Sequence, residues 1–131
     1  LMSLDYMMIG TNDLARARLF YDAVFPTFGG EVEADYAGIA VCYRFRNSTR
    51  AWVAGPNNKQ TATPGNGNMP GFRCADEAEV DAAHAAALAH GGSDEGAPGP
   101  RPLYGPDFYG AYVRDPDGNK MSFICTREVP A

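Results

Sequence analysis

Apolar positions along the chain change period twice, in the same order each time. Residues 4–10, Leu4-Asp5-Tyr6-Met7-Met8-Ile9-Gly10, read as a short strand that Gly10 ends. Thr11 or Asn12 can cap the next element. There Leu14, Ala17, Tyr21, Val24 or Phe25, and Phe28 recur at helical spacing, while Arg16, Arg18 and Asp22 face outward. Pro26 has no N–H to give a helix, so the regular helix is predicted to end just before it. Gly29-Gly30 then permit the turn into the next strand. Residues 31–35 and 38–46 predict a hairpin turning near Tyr36-Ala37-Gly38. Ile39, Val41, Tyr43 and Phe45 share one face of its second strand, and Ala40, Cys42, Arg44 and Arg46 share the other. Arg50–Ala54 predicts a further short strand and carries Trp52, the only tryptophan.

The second half repeats the order. Met69-Pro70-Gly71-Phe72-Arg73-Cys74 opens it, and Asp76 and Glu79 follow at capping-box spacing. Val80, Ala83, Ala87 and Leu88 give a small apolar helix face that ends at Gly91-Gly92. Glu95–Pro106 is rich in proline and glycine, carries Arg101 and Tyr104, and is assigned no strand. Phe108–Arg114 and Lys120–Thr126 are predicted strands joined through Asp115-Pro116-Asp117-Gly118-Asn119, a tight-hairpin sequence. The two patterns lie roughly 63 residues apart, too long for a solenoid repeat but suited to two copies of one supersecondary unit. Modules over residues 4–54 and 69–127 are expected within a single domain of 131 residues, joined by a polar linker over 55–68. A sheet built from two such units can curl around a cavity.

Composition narrows the function. With 45% hydrophobic and 21% charged residues the chain reads as an ordinary globular domain. A net charge of −5 with dispersed basic residues argues against nucleic acid and anionic membranes as partners. No apolar run reaches membrane-spanning length and no signal-like opening is present, so a cytoplasmic location is expected. Cys42, Cys74 and Cys125 are an odd set without close spacing, which suits buried free thiols.

These segments resemble the vicinal oxygen chelate superfamily of glyoxalase I, bleomycin-resistance proteins and extradiol dioxygenases. The likeness runs almost end to end. It is carried by Asp13-Leu14 through Phe20-Tyr21, by Ala87-Leu88-Ala89-His90-Gly91-Gly92, and by Tyr109 through Asn119. The resemblance implies an α+β fold of two βαβββ modules, an open curved mixed sheet or incomplete barrel with helices outside, within a homodimer. It also implies a divalent metal held in the cup by histidines and glutamates. At those positions this chain has Tyr6, Met69 and Ser122, and the fourth position, near Trp52, falls in Arg50–Ala54, which has no carboxylate. Phenol, thioether and hydroxyl do not make a hard divalent site, so no metal and no cofactor are expected. His84 and His90 are six residues apart on one helix, which does not bring them to one face; surface or helix-terminal roles are expected for them.

Inward candidates are Tyr6, Met8, Met69 and Ser122 through the family's metal positions and their strand. Tyr43, Trp52, Arg101, Tyr104 and Tyr109 join them because they combine aromatic area or charge with a polar handle. A site containing Tyr6 and Ser122, walled by Trp52 or Tyr109, is expected. Two functional readings follow: a metal-independent module that binds a small molecule, or a lyase- or dioxygenase-type enzyme with an atypical site. A dimeric scaffold with an empty cup is a third.

Overall fold

The computed structural model describes residues 3–126. Its first half is β1 (Tyr6–Gly10), α1 (Leu14–Val24), a 3-10 turn (Phe25–Phe28), β2 (Glu31–Tyr36), β3 (Ala40–Arg44) and β4 (Arg50–Ala54). Its second is β5 (Gly71–Arg73), α2 (Glu77–Ala89), β6 (Ser93–Pro100), a 3-10 turn (Pro102–Tyr104), β7 (Tyr109–Arg114) and β8 (Lys120–Cys125). Two four-stranded sheets result, ordered β1-β4-β3-β2 and β5-β8-β7-β6. In each, the first strand of the module pairs in parallel with its last, and the other pairings are antiparallel. The halves are therefore two βαβββ modules forming mixed, open sheets with the helices packed outside. Residue 127, the expected end of the second module, lies outside the described residues.

Local chemistry explains most boundaries and corrects several. α1 stops at Val24, and Pro26 sits in the 3-10 turn beyond it. Its cap is Asp13, whose Oδ1 accepts from the Arg16 N–H at 3.0 Å, rather than Thr11 or Asn12. Asp76 caps α2 as expected, but Glu79 reaches back one residue further, accepting from the Ala75 N–H at 2.7 Å. The assignment of Glu95–Pro106 to irregular chain is corrected in part, because its first six residues belong to strand β6. Pro98 and Pro100 are tolerated there because β6 is an edge strand, and two register shifts absorb its glycines.

The double glycines divide their labour in the same way in both halves. Gly29 (φ 91°) and Gly91 (φ 98°) take the left-handed conformation that ends each helical segment. Gly30 and Gly92 are required for close approach. A Cβ on Gly30 would lie 2.8 Å from Phe25 Cβ, and one on Gly92 would lie 2.8 Å from the Ala87 carbonyl oxygen and the Phe20 ring.

The helices carry both modules into one core. Phe20, Tyr21, Val24, Phe25 and Phe28 meet Phe72, Val80, Ala83, Met121 and Phe123 in a continuous cluster. Ring pairs such as Phe25–Phe72 at 5.1 Å and Phe28–Phe123 at 5.7 Å cross the junction. Polar bonds from the β7–β8 turn reinforce it. Buried Asp115 accepts from the Tyr21 hydroxyl at 2.5 Å, while Asp117 accepts from Thr11 Oγ1, the Asn12 N–H and Arg16 Nη2. Asn119 Nδ2 donates to the Gly10 carbonyl at 2.9 Å. Cys42, Cys74 and Cys125 are buried. Among the described residues no helix is long and apolar enough to cross a membrane.

Candidate functional site

Strand alternation assigns each side chain of the second sheet to one of two faces. Ala111, Val113, Met121, Phe123 and Cys125 are buried in the core beneath α2. Their neighbours Tyr112, Lys120, Ser122 and Ile124 line the opposite, open face. There a cavity of about 700 Å³ is completed by Met69, Glu95, Arg101, Tyr104 and Phe108. A smaller one of about 370 Å³ lies at the junction of the modules, where Met8 and Gly10 of β1 approach Met69, Asn119 and Lys120.

The larger cavity has a defined electrostatic layout. Arg101 donates from Nη1 to the Gly99 and Pro100 carbonyls (3.0 and 3.2 Å) and from Nη2 to the Ala97 carbonyl at 2.8 Å. These bonds hold its guanidinium carbon 5.5 Å from the centre of the Tyr112 ring. Lys120 Nζ stands 6.0 Å from the same ring. Glu95 accepts from Arg114 Nε at 3.3 Å, and Arg114 Nη1 donates to the Gly118 carbonyl. Ser122, 4% exposed, faces Tyr112 in the β7–β8 register.

Of the residues selected from the sequence, Met69, Arg101, Tyr104 and Ser122 gather in this cavity, and Met8 joins Met69 in the smaller one. Tyr6 and Trp52 line neither. Tyr6 is exposed on β1, and Trp52 on β4 stacks on Tyr36 with 6.0 Å between ring centres. Two placements are corrected. Tyr43 is buried, with its hydroxyl donating to Asp22 of α1 at 2.6 Å, and burial pushes its phenol pKa up. Tyr109 donates to Asp81 of α2 at 2.7 Å; that bond, with burial second, pushes its pKa up to about 12. Both sit at the odd positions of their strands, which the helices cover. Sequence reasoning missed Tyr112, Lys120, Glu95 and Phe108. Tyr112 was reachable: counting outward from the turn pairs Arg114 with Lys120 and hence Tyr112 with Ser122.

The donor set at the expected metal positions does not fit a divalent ion. Met69 and Ser122 share the larger cavity, but they supply a thioether and a hydroxyl, and Tyr6 stands outside it. Among the described residues no group of three or more His, Cys, Asp or Glu is placed to hold a metal. Contrary to a surface role, His84 is buried, and its Nε2 lies 2.9 Å from Asp94 Oδ1. This bond, with a second from the Gly96 N–H, holds the Asp94 carboxyl below the usual carboxylate range. His90 Nδ1 lies 2.8 Å from the Ala86 carbonyl oxygen at the end of α2.

Residues 3–123 match the family model described as Glyoxalase/Bleomycin resistance protein/Dioxygenase superfamily. A crystal structure of a glyoxalase/bleomycin resistance protein from Albidiferax ferrireducens T118 is 37% identical, covers 95% of this chain and 98% of that one, and superposes with a TM-score of 0.83. A glyoxalase-related enzyme from Fulvimarina pelagi (20% identity, 96% and 89% covered, TM-score 0.75) shares the fold. So does lactoylglutathione lyase from Agrobacterium tumefaciens (21% identity, 95% and 94% covered, TM-score 0.68). Among curated proteins, none matches the chain.

Proposed function

The chain belongs to the glyoxalase/bleomycin resistance protein/dioxygenase superfamily, and from that premise we propose that it is a metal-independent module that binds a small organic molecule on the open face of its second sheet. The observation that carries this reading is the pairing of a formed cavity with an unsuitable donor set. About 700 Å³ lies within the range of small-molecule sites, and its lining mixes aromatic and aliphatic walls with a few polar groups. Ser122 brings an alcohol, which orients a ligand through a hydrogen bond but is a weak base at neutral pH. The cavity therefore suits binding more than turnover.

The test is elemental analysis of the purified protein after dialysis, together with mass spectrometry of small molecules released on denaturation. The expected outcome is no stoichiometric transition metal and a released or added organic ligand whose binding is unchanged by a chelator. About one equivalent of zinc, nickel, iron or manganese per chain, retained through dialysis, would favour the lyase- or dioxygenase-type reading instead.

A further inference from the structure

We infer that the cavity on the second sheet takes a flat apolar molecule bearing one anionic group, a carboxylate or sulfonate, attracted by the charges of Arg101 and Lys120 beside the Tyr112 ring; this rests on the reading of that cavity as a small-molecule site. The chain is acidic, with a net charge of −5, and five of the eight arginines among the described residues are paired with carboxylates. Arg16, Arg18, Arg46, Arg50 and Arg114 each have a carboxylate within ion-pair distance. Among the described residues Arg44, Arg73, Lys59, Arg101 and Lys120 have no carboxylate at ion-pair distance, and of these only Arg101 and Lys120 lie on the wall of the cavity. Their charged groups stand 5.5 and 6.0 Å from the centre of the one Tyr112 ring. Glu95, the carboxylate on the same wall, is occupied by Arg114.

The guanidinium is also pre-positioned. Three bonds to the carbonyls of Ala97, Gly99 and Pro100 fix it, yet five N–H groups are available on an arginine, so at least two stay uncommitted. An anion arriving there meets a donor whose rotamer freedom is already lost, which favours binding. Tyr112, Phe108 and Ile124 offer ring faces and aliphatic surface for the apolar body. Ser122, in register with Tyr112, adds a hydroxyl to the same cavity wall.

Two fluorescent probes with one ring skeleton test this directly: 1-anilinonaphthalene-8-sulfonate and its neutral parent, N-phenyl-1-naphthylamine. Titrated into the wild-type protein at low salt, the sulfonate is expected to bind roughly tenfold or more tighter, as one charge-assisted hydrogen bond supplies. That preference should shrink as salt is raised. The double variant Arg101→Gln/Lys120→Gln should lose the preference, read as the ratio of the two probes' affinities for the same variant. Should the double variant fail to fold, Lys120→Gln alone carries the test, with partial loss expected. Equal or weaker binding of the sulfonate, or a preference that survives the substitutions, would overturn the anion assignment and leave the cavity reading intact. Failure of both probes to bind the wild-type protein would remove the two together.

Discussion

Asp115 is a buried carboxylate that has no cation at hydrogen-bond distance among the described residues. Its Oδ1 accepts from the N–H groups of Asp117 and Asn119, and its Oδ2 accepts from Asn119 Nδ2 and the Tyr21 hydroxyl. Four donors replace the water it gave up on burial, which is how a charge persists inside a protein. For Tyr21 the same contact works the other way: burial first, and the Asp115 charge second, push its phenol pKa well up. Tyr21→Phe removes one of the four donors and is expected to cost about 1–3 kcal/mol in urea unfolding. Because the folded pKa is raised, this contribution is present at neutral pH and is lost only as pH climbs past the ordinary tyrosine value of about 10. A loss below about 0.5 kcal/mol would show that the turn holds Asp115 without help from α1. The sequence marks Asp115 as a turn former, because turn chemistry is local. Its bond to a residue 94 positions away has no local signature.

Elements repeat that contrast between what is local and what is not. The helices, the α2 cap and the β7–β8 hairpin were legible, since each depends on residues within a few positions of one another, whereas the α1 cap fell on Asp13 rather than on Thr11 or Asn12. Strand β6 was not, because Pro98 and Pro100 are penalised by any single-strand pattern, and only its place at the sheet edge makes them acceptable. The faces of Tyr43 and Tyr109 failed for a related reason. Alternation separates the two sides of a strand but does not say which side the helix covers. The Gly29-Gly30 and Gly91-Gly92 pairs, visible as a repeat, acquire distinct roles only in the folded chain. Gly92→Ala places a methyl 2.8 Å from the Ala87 carbonyl oxygen and 2.9 Å from that of Arg114. Backbone atoms yield little, so a loss of about 1–3 kcal/mol or more is expected. Gly55→Ala is the control, since its Cβ would meet nothing nearer than 3.9 Å. That substitution should stay within about 0.5 kcal/mol by the same unfolding measurement.

At the scale of the whole molecule, the two sheets hide one face each and leave the other open. The open face of the first sheet carries Tyr6, Met8 and Tyr36, exposed to 54%, 61% and 57%, with Trp52 beside them. Beside the second sheet, Leu103 and Tyr104 are 89% and 63% exposed. Single exposed apolar residues need no explanation, but several aromatic and sulfur side chains on one sheet face form a surface that favours burial. Each sheet also has free edges that a neighbour could shield. A symmetric pair of chains answers both conditions at once, since a twofold axis covers the same face in each copy. The protein is therefore expected to be a homodimer, giving twice the chain mass in light scattering at micromolar concentration. The double substitution Met8→Lys/Tyr36→Lys sets like charges on that face and should shift the population toward monomer, with little change in the far-ultraviolet circular dichroism. A wild-type mass of one chain would show that these faces stay in water, and a variant that remains dimeric would move the interface elsewhere.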